Sequence, residues 1–146
     1  MILPDVNILL YSYNKGDSRF DRARRWFEDL INGTEPACFC WETINGFMRL
    51  STNSRAMPNP FSLSEAFSIV DEWLQCPNAI MLEPTKNHQA VLKAVSIEAN
   101  AVGSLYSDAV LAALAISHNA IIASTDRDFR LFKGLKLIDP LAADQM

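Results

Sequence analysis

Three short apolar runs in this chain each stop at an acidic residue, and each is followed by apolar residues at helical spacing. Met1 to Leu3 leads to Asp5, Ala37 to Cys40 leads to Glu42, and Ala120 to Ser124 leads to Asp126. Runs this short, apolar on both faces, suit strands covered by helices on both sides, where no solvent face asks for polar alternation. Strand and helix alternating along the chain is the pattern of a parallel sheet wrapped by helices. Two further strands, Ala79 to Leu82 and one near Leu137-Ile138 closed by Pro140, bring the expected sheet to about five.

The intervening stretches carry helix signals. A first helix enters after Asp5 with Ile8, Leu9 and Tyr13. Ser18 with Asp21 has capping-box spacing, opening a helix whose Phe20, Ala23, Phe27, Leu30 and Ile31 share one face until Asn32-Gly33. After Glu42, the spacing buries Ile44, Phe47, Met48 and Ser51 and puts Glu42, Asn45 and Arg49 on the other side. Ser62 and Glu65 cap a helix with Ala66, Ile69, Val70 and Trp73 inward, and another runs from about Thr85 with Val91, Leu92, Val95 and Ala99. Gly103-Ser104 breaks the chain before an alanine-rich helix over Ser107 to Asn119. Thr125 with Asp128 reads as a capping box for a short turn through Phe129 and Leu131.

A chain of 146 residues that is 49% hydrophobic fills one continuous core, so a single domain over 1–146 is expected, without linker or repeat. With 21% charged residues and a net charge of -4, bulk charge cannot coat nucleic acid, and any such contact needs a local basic patch. The run Val6 to Tyr13 is interrupted by Asn7 and lacks a preceding basic segment, which predicts neither secretion nor membrane spanning. A cytoplasmic location is the expectation. Cys38 and Cys40 share one strand face and read as small buried hydrophobes, and the spacing of the cysteines and of His88 and His118 does not suit zinc.

In an open parallel sheet, strand ends and the helix starts that follow them face one crevice. Asp5, Glu42, Asp108 and Asp126 are therefore expected to converge, and clustered carboxylates either protonate or bind a hard cation. Each has a plainer reading by itself. Asp5 suits an N-cap, Glu42 and Asp108 suit the first turn of a helix, and Asp128 is a cap before it is a ligand. Asn7, Arg49, Thr125 and Asp128 are candidate substrate contacts, with Lys15, Arg19, Arg22, Arg55, Arg127 and Arg130 as further candidates for a basic rim.

The blocks Asp5-Val6-Asn7, Trp41-Glu42 with Phe47-x-Arg49-Leu50-x-Thr52-Asn53, Ser107-Asp108-Ala109, and Ser124-Thr125-Asp126-Arg127-Asp128-Phe129 occur in an order and spacing that resembles the PIN-domain ribonucleases. The blocks look specifically like the VapC toxins of toxin-antitoxin pairs, and Phe132-x-Gly134-Leu135 and Asp139-Pro140-Leu141 resemble the tail of one VapC branch. Tyr106-Ser107 and Asn119 depart from the common pattern without removing a carboxylate. The resemblance implies a PIN-like α/β fold and Mg2+ or Mn2+ held by Asp5, Glu42, Asp108 and Asp126. It further implies an RNA substrate cut to a 5'-phosphate and a 3'-hydroxyl, a VapB-type antitoxin and a homodimer.

Other chemistries fit less well. A haloacid-dehalogenase-like phosphatase needs a second acid two residues after the first, where this chain has Asn7. A phospho-receiver domain pairs its acids at the first strand and uses a later lysine, where this chain has Thr125-Asp126. A PIN-like domain that binds RNA or a partner without cutting is the remaining alternative. For the partner, a cleft among the helices carrying Phe20, Trp26, Phe27 and Phe47 to Leu50 is expected to accept an amphipathic segment, with Phe27 and Phe47 themselves read as facing the sheet. Trp26 and Trp73 are left open between the core and that docking surface.

Overall fold

The computed structural model describes residues 1–142, so the last four positions of the expected domain lie outside the described residues. The chain alternates β1 (Ile2–Pro4), α1 (Val6–Tyr11), α2 (Phe20–Ile31), β2 (Ala37–Phe39), α3 (Trp41–Ser51), α4 (Leu63–Gln75) and β3 (Ala79–Met81). It continues with α5 (His88–Ala99), α6 (Ser104–His118), β4 (Ile121–Ala123), a 3-10 helix (Arg127–Leu131) and β5 (Lys136–Ile138). All strand pairs are parallel, in the order β3-β2-β1-β4-β5, with Ile2 opposite Ala37 on one side and Ile121 on the other. The earliest strand is thus central. The chain leaves β1 toward one half of the sheet and later returns to build the other, so the crevice of this topology opens at the C-terminal end of β1.

The sheet separates two apolar layers. One is built from Phe27, Phe39, Phe47 and Trp73 on α2, β2, α3 and α4, and the other from Leu3, Ile122 and the alanine-rich face of α6 against Leu92 and Val95 of α5. Ala109, Ala112, Ala113 and Ala115 are fully buried, as small side chains permit where a helix lies close to its neighbours. Cys38 and Cys40 are buried in the same layer, and burial pushes both thiols up to about 11, so neither is a thiolate at neutral pH.

Several local expectations give way. The Ser18/Asp21 capping box does not form: α2 starts at Phe20, its N-cap Arg19 makes no side-chain cap, and Asp17 instead accepts the Arg19 N–H at 2.8 Å while its carboxylate pairs with the Arg19 guanidinium. Tyr13 lies beyond the end of α1, yet its ring packs edge-on to Phe47 and its hydroxyl accepts the Trp73 Nε1–H at 2.8 Å. Trp73 is 0% exposed, stacked on Phe39 at an interplanar angle of 8°, which removes it from any docking surface. Trp26 is half-buried. The Ser62/Glu65 capping box forms as expected, with both reciprocal bonds present.

The helix carrying Asp108 begins three residues earlier than the alanine pattern suggests. Gly103, at φ 62°, lets the chain turn sharply after α5 so that Ser104 is already helical. Asp108 consequently sits in the second turn of α6, where the first-turn dipole reading no longer applies.

The close approach of α1 and α3 generates a prediction. A Cβ on Gly46 would meet Val6 Cγ2 at 2.9 Å, and Val6 is β-branched with little rotamer freedom. Gly46→Ala should therefore destabilise by about 1–3 kcal/mol through overpacking, with the loss partly relieved in the double variant with Val6→Ala. Chemical denaturation of the two single variants and the double variant measures this, and additive effects would refute the contact.

Candidate active site

The end of β1 places Asp5 where every polar atom around it is accounted for. Its own N–H donates to Ala123 O at 2.9 Å, tying the tip of β1 to the tip of β4. Its Oδ1 accepts the Val6 N–H at 2.7 Å, the capping contact anticipated from aspartate at a helix entry. Its Oδ2 accepts the hydroxyl of Ser124 at 2.9 Å, and Ser124 Oγ in turn accepts the Asp126 N–H at 2.9 Å. Ser124 is 2% exposed and is the hinge of this arrangement. In the sequence it appears only as the end of an apolar strand and the first residue of the block that resembles the family, and neither marks it as a tie between two strand ends.

Asp126 does two jobs. It is the N-cap of the 3-10 helix, accepting the Asp128 N–H at 2.9 Å on Oδ1, so the expected Thr125/Asp128 capping box is replaced by an Asp126 cap. The turn this produces leaves Asp128 exposed but beside the other acids. Carboxylate oxygens of Asp108, Asp126 and Asp128 all lie within 4.8 Å of one another, which gives Asp128 a place among potential metal ligands in addition to the capping role foreseen for it. Asp5 stands outside that trio and is joined to it through Ser124, which bonds both its carboxylate and the Asp126 N–H, and through the charge of Asp126.

Beside the acids lies a cavity of about 450 Å³. One wall is α3, contributing Glu42, Thr43, Asn45, Gly46 and Arg49, and the other is α6, contributing Tyr106, Ser107, Asp108, Val110 and Leu111, with Asp5 and Val6 between them. Glu42 therefore faces the same space as Asp5 and Asp108 but stands on the opposite wall, outside the tight carboxylate group. Asn7 and Thr125 are half-buried and do not line the cavity. Of the basic residues considered for a rim, Arg49 alone lines it. Arg19 is spent on Asp17 and on the Tyr11 ring, 3.7 Å from its centroid, Arg22 donates to Leu141 O, and Lys15 borders a separate cavity of about 390 Å³.

The electrostatics follow from this crowding. Burial, and then the charges of Asp126, Asp5 and Asp128, push the Asp108 carboxyl up to about 6. Burial also raises Asp5, with the bonds from Ser124 and Val6 pulling it back and the Asp126 charge adding to the rise. Among the described residues no lysine or arginine forms an ion pair with Asp5, Asp108, Asp126 or Asp128. Hard oxygen donors, mutual repulsion and the lack of an ion-paired base among the described residues together suit a small divalent cation.

Comparison with known proteins gives a consistent result. The PIN domain description matches residues 2–135. The chain is 34% identical over 141 residues to Ribonuclease VapC33 of Mycobacterium tuberculosis, covering 97% of this chain and 99% of that protein. It is 33% identical over 142 residues to Ribonuclease VapC37 of the same organism, again covering 97% and 99%. Among solved structures, VapBC2 from Rickettsia felis bound to a promoter DNA fragment superimposes with a TM-score of 0.68 at 17% identity, covering 94% of this chain and 98% of that one. FitAB bound to a DNA fragment gives 0.64 at 16%, covering 97% and 96%, and these two likenesses speak to the fold.

The raised Asp108 carboxyl contributes its own pH dependence to the stability of the metal-free protein. A carboxyl whose folded pKa lies above its ordinary 3.8 holds its proton more tightly when folded, so its contribution is complete below that value and is lost as pH rises through about 6. In chelator, wild-type melting temperature should fall from about pH 5 to pH 7 relative to Asp108→Asn. The gap should open by about 2–5 °C, the size expected for ~1 kcal/mol after allowing for the partial exposure of Asp108. Thermal melts of both proteins across that range measure it, and parallel curves would show that the crowding carries no cost.

Proposed function

The chain belongs to the PIN-domain family, within its VapC ribonuclease group, and on that footing we propose that it is the endoribonuclease toxin of a toxin-antitoxin pair. The observation that carries the reading is the convergence of Asp5, Asp108 and Asp126, joined by Asp128, at the open end of the central strand with no basic partner. In this reading these carboxylates and Glu42 hold Mg2+ or Mn2+, and residues 1–146 act as one domain. A divalent cation there supplies neutralisation of phosphate charge and activation of water for attack on phosphorus.

The protein's own groups have separate tasks. Ser124 holds Asp5 and the Asp126 backbone in one arrangement, so the carboxylates meet a cation without reorganising. Glu42, on the far wall, offers a carboxylate to a water approaching across the cavity. Arg49, which makes no ion pair among the described residues, offers its guanidinium to a phosphate of the RNA backbone and offsets the repulsion an acidic pocket presents to a polyanion. The partners in this reading are RNA, a VapB-type antitoxin and a second copy of the chain, all in the cytoplasm. No helix among the described residues is long and apolar enough to cross a membrane.

Two experiments test this. Protein purified free of antitoxin should cut RNA with Mg2+ or Mn2+ and stop in excess chelator. Asp126→Asn, which keeps an oxygen to cap the 3-10 helix, should lose more than the roughly 10–100-fold that removal of an outer partner of a metal ligand costs. Binding of RNA without any metal-dependent cutting would favour the non-cleaving alternative. In cells, expression of the wild type alone should arrest growth, and the neighbouring small protein should restore it. Unimpaired growth with abundant wild-type protein would remove the toxin assignment.

A further inference from the structure

The acids account for only part of the cavity. Tyr106, Val110, Leu111 and Val6 also line it, and a space of about 450 Å³ has the size of pockets that enclose an organic ligand, beyond what a cation and one phosphate need. Tyr106 is 46% exposed, in the first turn of α6 and two residues before Asp108. The other two tyrosines are held: Tyr11 carries the Arg19 guanidinium over its ring and on its hydroxyl, and Tyr13 sits in the aromatic layer bonded to Trp73. Among the described residues, Tyr106 makes no ring contact and its hydroxyl makes no hydrogen bond. An aromatic ring left uncovered at the mouth of a site for a polyanion has its flat face available, and every nucleobase has a face to match it.

We infer that Tyr106 is a positioning residue on which one unpaired base next to the scissile phosphate stacks, with Val110 flanking it on the same wall and Arg49 taking a phosphate on the opposite wall. The inference rests on the ribonuclease reading above and adds a determinant that the acids cannot provide. Carboxylates and a cation act on any phosphodiester, whereas a single ring beside them admits only a nucleotide whose base has left its stack. Stacking on the ring sets the register of the strand relative to Asp108. A base locked in a duplex cannot reach it.

The test is steady-state cleavage of an unstructured oligoribonucleotide with Mn2+ by wild type, Tyr106→Phe, Tyr106→Leu and Tyr106→Ala. Tyr106→Phe should behave as wild type, while Tyr106→Leu and Tyr106→Ala should raise KM by about 5- to 100-fold, the range that loss of one base-aromatic stack produces. A series of substrates, each lacking one base near the cut, should contain one that penalises wild type and leaves Tyr106→Ala no worse than with the intact substrate. A KM for Tyr106→Ala within about twofold of wild type, or base removals that penalise both proteins equally, would overturn the inference while leaving the nuclease intact. Binding of the same oligonucleotide in Ca2+, followed by fluorescence anisotropy, separates the two readings. Wild type that binds without cutting refutes the nuclease and leaves the affinity loss of Tyr106→Ala to decide the platform, and wild type that does neither refutes both.

Discussion

Carboxylates brought within a few ångströms of each other repel, and a fold that keeps them together must hold them by contacts stronger than that repulsion. The Ser124 hydroxyl supplies the central one, donating to Asp5 and accepting from the Asp126 backbone while almost wholly buried. The Asp5 N–H bond to Ala123 O adds a second tie between the same two strand ends. Since β1 and β4 are neighbours in the sheet, these bonds cost little local distortion, and the ladder between them resists separation of the acids. The residual strain is electrostatic, expressed in the raised Asp108 and Asp5 carboxyls.

That arrangement requires β1 to be central, and the two apolar layers make it so. The aromatic layer of Phe27, Phe39, Phe47 and Trp73 fixes α3 over one half of the sheet, and α3 carries Glu42 and Arg49. The alanine-lined layer brings α6 close to the other half, and α6 carries Asp108 and Tyr106. The cavity is the gap left where these two helices flank the end of β1. Gly46 lets α1 and α3 approach, and Gly103 starts α6 early enough that Asp108 falls within the helix rather than at its tip.

The division of labour inside the site follows from the same geometry. Among the described residues, Asp108 alone belongs both to the tight carboxylate group and to the cavity wall, so it joins the two parts of the site. Glu42 faces that space from across it, on a different wall from the trio of Asp108, Asp126 and Asp128. In this VapC-type PIN domain the tight carboxylate group thus lies at one edge of the crevice, and the cavity lies between two helix walls.

What the sequence determined by itself is the architecture and the roll of acids. Short apolar runs ending at Asp5, Glu42 and Asp126 made a parallel sheet the economical solution, and parallel strands oblige their ends to share one side. The Ser62/Glu65 cap and the buried faces of α2, α3 and α4 were legible because their signals lie within one or two helical turns. Tertiary structure alone decided the rest. Ser124 became the bridge because two strand ends far apart in the chain are adjacent in space, and no local pattern encodes that. Helical spacing already put Trp73 on an inward face, and the fold decided what meets it there, a stacking face from Phe39 and a hydroxyl from Tyr13. Asp128 lies beside the other carboxylates where Asp126, rather than Thr125, takes the cap, and Tyr106 falls in the first turn of α6 because that helix begins three residues sooner than its alanines announced. Periodicity reports which face of an element is apolar; which neighbour covers that face, and what stays bare, depends on how all the elements close on one another.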